Sequence, residues 1–241
     1  VAPETGSYNF QYQGKFTQVA GPWNFGIEAD VKAPNYVNNF FGMGNESVFD
    51  DEIDDVPGVG VDEAIQYYRY RFNEISIYPS MSRTFGRWGT FQLGPTYQRI
   101  KMEDPGAEND RYIEEYASAV REDLFADAQS FAGLRWGFVS DQRDDELFPQ
   151  RGSHFTISGK NLASISAKGD NFSAYQSSLA FFYSVRPRSR VVFAARVGGG
   201  INAGEYPFYQ AQILDGKQEL RGYRKTRFYG DSKIYGNFET R

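Results

Sequence analysis

The chain has 241 residues, 40% hydrophobic and 17% aromatic, which allows one or two domains and excludes both a small stapled scaffold and a disordered tail. Its 26 basic and 31 acidic residues sum to −5, which argues against a broad phosphate-binding surface and a nucleic-acid partner while leaving room for local basic patches. The absence of cysteine excludes disulfides, iron–sulfur clusters and thiolate zinc sites but does not fix the compartment.

Twenty-five glycines among 17 tyrosines and 21 phenylalanines lean towards an all-β protein. The longest uncharged run, 171–185, contains Asn171, Gln176 and four serines, so no segment reads as a membrane-spanning helix. The chain opens at Val1 with no visible signal peptide and is read as processed or partial.

In chain order, residues 8–16 place Tyr8, Phe10, Tyr12 and Phe16 on one parity and Asn9, Gln11, Gln13 and Lys15 on the other, the period of a strand with one greasy and one wet face. The pattern returns after 17–22, where Trp23, Phe25, Ile27, Ala29 and Val31 oppose Asn24, Glu28, Asp30 and Lys32. Further strands are predicted at 65–80, 88–102, 127–141, 152–163, 172–185, 190–201 and 233–241, about nine in all. Many are long enough for a tilted membrane-spanning strand, which needs about 9 to 11 residues. Two irregularities stand out. The apolar parity changes between Phe72 and Ile75, as a bulge or a strand running past the lipid band would produce, and Phe131 faces the polar way among Gln129, Gly133 and Arg135.

Short links at 17–22, 81–87, 142–151 and 186–189 alternate with long ones at 32–64, 103–126 and 203–232, the link 164–170 being the one modest exception on the long side. Outer-membrane barrels have short periplasmic turns and long external loops, so the alternation also gives the topology, with the first strand running towards the periplasm. A soluble sandwich would alternate too, but its greasy face would carry Leu, Ile and Val, whereas here Tyr, Phe and Trp dominate with Gly and Ala between them. The expected fold is an all-β, antiparallel transmembrane β-barrel, and residues 1–241 are read as a partial outer-membrane barrel domain.

Two motifs carry a resemblance. Leu220-Arg221-Gly222-Tyr223 lies in the last long loop and is followed by Arg227-Phe228-Tyr229-Gly230-Asp231-Ser232. Residues 140–152 read SDQRDDELFPQRG, a turn with Asp144, Phe148, Pro149 and Gly152 immediately before a strand. Together they resemble the bacterial surface-antigen superfamily, the BamA-like barrels that insert or secrete proteins at the outer membrane. The resemblance implies a sixteen-stranded barrel, of which the nine strands here match the fourth to the twelfth. It also implies a sixth external loop whose hydrophobic-Arg-Gly-aromatic tip folds back into the lumen. The stretches Gly21-Pro22-Trp23 and 39–47 are similar to barrels of this superfamily fused to metallophosphatase-like domains.

A guanidinium drawn into a lumen of lowered dielectric needs a carboxylate partner. Parity puts Ile234 and Phe238 outward and Lys233, Tyr235, Asn237, Glu239 and Arg241 inward, and in the family a glutamate at the position of Glu239 contacts the motif arginine. An Arg221–Glu239 pair is therefore expected, with Arg241, Lys233 and Arg196 as competing partners of Glu239.

Other candidates read more blandly. Asp50, Asp51, Glu52, Asp54 and Asp55 lack the spacing and turn glycine of a calcium loop and read as a solvated external loop. Tyr112, Tyr116, Val120 and Leu124 recur every fourth residue, predicting a short amphipathic helix within 111–127 that caps the barrel. His154 is placed in the lumen, and Ser153, Ser158 and Ser166 show no activating constellation with it, so no enzyme, cofactor or metal is expected.

The resemblance thus implies a non-enzymatic protein of the bacterial outer membrane that assembles outer-membrane proteins or translocates polypeptides. Its partners would be membrane lipid, unfolded outer-membrane or secreted clients, and accessory outer-membrane or periplasmic subunits. The alternatives are a barrel anchor for a fused, phosphatase-like enzyme domain and a passive porin.

Overall fold

A computed structural model describes residues 7–47, 67–104, 111–120, 124–166, 170–185, 191–216, 219–223 and 226–241. The period-two segments become β1 (Tyr8–Ala20), β2 (Trp23–Asn39), β3 (Arg69–Thr84), β4 (Thr90–Met102), β5 (Gln129–Asp141), β6 (Gly152–Ser164), β7 (Phe172–Ser184) and β8 (Val192–Gly204). Two short strands, β9 (Gln212–Leu214) and β10 (Phe228–Gly230), pair with each other inside the last long connection, and β11 (Ser232–Thr240) completes the main sheet beside β8. All neighbours in this nine-stranded sheet are antiparallel, and β1 and β11 are its two edges.

The first two strands are longer than the sequence pattern suggests, because they continue through irregularities that break the alternation. On β2 the register shifts between Lys32 and Tyr36, and pairing with β3 then resumes as far as Asn39 opposite Arg69. The first long external connection therefore begins after residue 39 rather than at 32. On β1 a similar shift between Phe16 and Ala20 carries the strand to a tight turn at Gly21-Pro22.

The sheet separates two media. Outward residues such as Phe10, Leu134, Phe181, Phe193, Ile234 and Phe238 are exposed, the last two at 79% and 86%. Inward residues carry charge: Lys32 Nζ lies 2.7 Å from Glu74 Oε2, and Arg135 Nη1 lies 2.9 Å from Glu28 Oε2. Apolar outside and polar inside is the arrangement of a barrel wall in lipid, the reverse of a water-soluble shell. The chain forms an antiparallel transmembrane β-barrel wall.

A hydrophobic core does exist, on the inner face at the external end. Phe40, Tyr70, Phe72, Ile100, Met102, Ile113, Ala117, Phe208 and Tyr229 are buried together there. Phe40 packs at ring-centroid distances of 4.4 Å from Phe208, 4.8 Å from Tyr116 and 5.1 Å from Tyr229. This core accounts for the parity change in β3. Pairing of β3 with β4 keeps one register from Phe72–Met102 to Ile77–Tyr97, so β3 holds no bulge there, and Tyr70 and Phe72 face inward because the loop core buries them. Phe131 is likewise inward and fully buried against Leu162 and Phe172.

The short helix expected within 111–127 is α1 (Tyr112–Val120). It contributes Ile113 and Ala117 to the core, with Tyr112 and Tyr116 partly buried beside them, and Leu124 joins from the following turn. The acidic run at 50–55 lies outside the described residues.

Candidate functional site

The connection from β8 to β11 turns inward. A 3₁₀ turn (Phe208–Gln210) and β9 lie against the inner sheet face, held by a relay of amides. Gln210 Nε2 donates to Gln98 Oε1 of β4 at 2.7 Å, and its Oε1 accepts from Lys160 Nζ of β6 at 2.6 Å. Gln98 Nε2 in turn donates to Glu74 Oε1 at 2.7 Å, which links the relay to the Lys32–Glu74 pair on β2 and β3. Tyr209 Oη donates to Gln129 Oε1 of β5 at 2.6 Å. On the other side Asn202 Nδ2 donates to the Gln210 carbonyl at 2.8 Å, and Gln212 Nε2 donates to Asn202 Oδ1 at 2.7 Å. Polar side chains on four wall strands, β4, β5, β6 and β8, thus converge on one segment. Gly200 lets it approach, since a Cβ there would sit 2.3 Å from Gln212 Oε1.

Past β9 the chain reaches Glu219, which joins the wall through Lys233. Lys233 Nζ lies 2.7 Å from Glu219 Oε1, both side chains being nearly buried, and donates also to the Ile213 carbonyl at 2.9 Å. The second carboxylate oxygen accepts from Asp215 N at 3.0 Å, and Asn237 Nδ2 donates to the Glu219 carbonyl at 3.0 Å. A near-buried ion pair with these extra hydrogen bonds satisfies the condition under which such a pair holds.

Leu220, Arg221, Gly222 and Tyr223 follow immediately. Arg221 Nη2 lies 2.8 Å from Glu239 Oε1, and Arg241 Nη2 lies 2.9 Å from Glu239 Oε2, so one carboxylate bridges two guanidinium groups. The Arg221 side chain is 72% exposed, so this contact is wetter than a buried lumenal pair. The other competing cations are engaged elsewhere: Lys233 with Glu219, and Arg196 with the Tyr235 hydroxyl at 2.8 Å. Gly222 has a φ of +97°, a backbone conformation that favours glycine.

The return of the loop is clamped to the end of β2 and the connection that follows it. Thr226 Oγ1 donates to Asn38 Oδ1 at 3.1 Å, and the Tyr229 hydroxyl donates to the Asn39 carbonyl at 3.0 Å. Arg227 Nη1 donates to Ser47 Oγ at 2.9 Å while its guanidinium covers the Phe228 ring. The 39–47 stretch thus serves as the clamp for this loop.

The periplasmic turn between β5 and β6 is built on two aspartates. Asp144 Oδ1 accepts from Gln150 N at 2.9 Å and Arg151 N at 3.0 Å, and Asp145 Oδ1 accepts from Leu147 N and Phe148 N at 2.8 and 2.7 Å. The Arg151 and Gln150 amides hold the Asp144 carboxyl below the usual aspartate range. Pro149 is buried, Phe148 is exposed, and Gly152, with φ +106°, closes the turn.

His154 sits opposite Asp141 at the periplasmic end of β6. Ser153 is its neighbour on the opposite face, and Ser158 is four residues along the same strand, roughly 13 Å away at strand rise. Ser166 lies at the external end, where its Oγ accepts from Ser130 N at 2.8 Å. The histidine and the three serines are not brought together.

Sequence reasoning missed Glu219, Gln210 and Gln212. Their partners lie on other elements, and the one usable signal was that Glu219 stands immediately before the Leu220-Arg221-Gly222-Tyr223 motif.

A family model described as the Omp85 superfamily domain matches residues 3–237. Among solved structures, the chain is similar to BamA from Haemophilus ducreyi lacking POTRA domains 1–3, with a TM-score of 0.63 and 17% identity, over 92% of this chain. The match spans 38% of that BamA chain. No curated protein matches.

Proposed function

This chain belongs to the Omp85 superfamily and is a bacterial outer-membrane β-barrel protein, and we propose that it assembles outer-membrane proteins or translocates polypeptides, with the 220–223 loop bracing its lumen. Its clients would be unfolded outer-membrane or secreted chains, served with accessory subunits and without enzymatic chemistry of its own. The observation that carries this reading is the inward-folded 205–231 connection, tied to β4, β5, β6, β8 and β11. An open porin gains nothing from a loop drawn across its conduit. The anchor reading drew on the likeness of 39–47 to phosphatase-fused barrels, and the clamp onto Thr226 and Tyr229 gives those residues a different task.

The test is a charge-reversal cycle on the full-length protein in proteoliposomes, scored by the folding rate of an unfolded barrel client. Arg241→Gln is present in every arm, because Arg241 shares Glu239 and would repel a cation placed at 239. Arg221→Glu slows client assembly, and adding Glu239→Arg restores it. A double reversal no faster than the single one overturns the bracing role.

A further inference from the structure

The cations of the wall are unevenly placed. On β1, β2, β5, β6, β8 and β11 the lysines and arginines lie on the inward parity: Lys15, Lys32, Arg135, Lys160, Arg196, Lys233. Outward cations occur only on β3 and β4 among the described strands, and four of the five gather at the external end: Arg69, Arg71, Arg99 and Lys101. The fifth, Arg83, is at the opposite end, stacked over Trp23 and Phe85.

The cluster begins where the apolar surface stops. From the periplasmic end, the outward residues of β3 run Met81, Pro79, Ile77 and Ile75 before Asn73, Arg71 and Arg69; those of β4 run Phe91, Leu93, Pro95 and Tyr97 before Arg99 and Lys101. Register puts Arg99 beside Ile75 and Lys101 beside Asn73, so on both strands the change occurs at about the same height. Diagonal neighbours across strands are about 7 to 8 Å apart, which places Arg71 within side-chain reach of Lys101. Arg71, Arg99 and Lys101 are exposed, and among the described residues none of the four cations has an ion-pair partner. Arg111 adds a further charge above them, its Nη1 donating to the Arg69 carbonyl at 3.3 Å. Of the carboxylates that follow β4, Glu103 is turned to accept from the Asn73 amide, and the exposed Asp104 comes next in the chain.

We propose that Arg71, Arg99 and Lys101, flanked by Arg69 and Arg111, form a binding site on the outside of the barrel for the phosphate groups of an outer-leaflet glycolipid of the lipopolysaccharide type. Acyl chains of such a lipid would lie on Ile75, Ile77, Leu93 and Tyr97 while its phosphates meet the cations just above. The arrangement matches the lipid in both halves: apolar surface at chain depth, and positive charge where an anionic headgroup begins. Two adjacent strands supply it, which gives the wall one preferred lipid-facing side. The site goes beyond the assembly reading and does not depend on it.

The test is native mass spectrometry of the full-length protein in detergent micelles, titrated with lipid A, with enzymatically dephosphorylated lipid A, and with inorganic phosphate. The variants are Arg71→Gln/Arg99→Gln/Lys101→Gln and, as a control on the same face, Arg83→Gln. Each basic residue near an anionic surface is worth close to fivefold in affinity, so the triple variant should bind lipid A about a hundredfold more weakly while Arg83→Gln binds as the parent does. On the unmutated protein, dephosphorylation should cost a comparable factor, an arm that needs no variant to fold. Dephosphorylated lipid binding as tightly as lipid A overturns the proposal. So does a triple variant that retains parental affinity, or inorganic phosphate saturating the site at the same concentration as lipid A.

Discussion

Glu219→Gln should release the inward loop far more than any change at Arg221. Lys233 and Glu219 are 8% and 11% exposed, and the glutamine keeps an acceptor for Asp215 N while leaving the Lys233 ammonium without its counter-charge. Breaking a buried pair from one side costs about 3 to 5 kcal/mol, and the residual exposure argues for the lower figure, roughly 3 kcal/mol, or a factor of about 150 in the opening equilibrium of the loop. Arg221 is 72% exposed, and its contact with Glu239 should be worth no more than about 1 kcal/mol. Because the chain has no cysteine, a single Ala211→Cys in the buried loop segment reports opening through its rate of maleimide labelling in nanodiscs. Labelling should accelerate by about two orders of magnitude in Glu219→Gln and by less than about tenfold in Arg221→Ala. Replacing Glu219 and Lys233 together by methionine should recover most of the protection, since no unpaired charge remains. If Glu219→Gln changes labelling less than threefold, or Arg221→Ala matches it, the assignment of loop anchorage to the near-buried pair is wrong.

Gly200→Val should displace Gln212 from the wall, because its Cβ would fall 2.3 Å from Gln212 Oε1 and 3.0 Å from the Tyr175 carbonyl; faster labelling at the same cysteine, with strand content in the circular dichroism spectrum unchanged, is the expected result. Phe40→Ala empties the centre of the loop core and should cost about 3 to 5 kcal/mol there, read as faster amide exchange in α1 with protection of β5 to β8 unaltered. The Asp144 carboxyl is held below its ordinary value of 3.8, so its support of the β5–β6 turn is complete above that value and is lost as pH falls through the lower, folded value. Exchange protection of the Gln150 and Arg151 amides should decay in that acid window, and Asp144→Asn should remove the dependence.

The wall was readable because its physics is local. Alternating parity from Tyr8 to Phe16 or from Ile234 to Phe238 follows from a strand's two-residue period, and the links between such segments mark where each strand ends. The extension of β2 was hidden because Ala33-Pro34-Asn35 interrupts the pairing and the aromatic Tyr36 then falls on the inward parity that the pattern reserves for polar residues, and only pairing to β3 shows that the strand resumes. Tyr70 and Phe72 looked anomalous for a different reason. Their burial depends on Phe40 and Phe208, which arrive from separate loops. The loop relay had no signature at all, since Gln210 reaches Gln98 across 112 residues and glutamines in a loop ordinarily face water. Arg221 and Glu239 came from the motif, while Glu219, the more deeply placed acid, has no counterpart in any local pattern.

The alternation Tyr70-Arg71-Phe72-Asn73 on β3 leaves that strand little tolerance for mispairing. Shift it by a single position and a guanidinium and an amide are driven into the aromatic cluster under the loops, while Tyr70 and Phe72 leave it. A buried charge without a partner and an emptied core then oppose the slipped register together, so this one short stretch of side chains fixes the pairing of the hairpin.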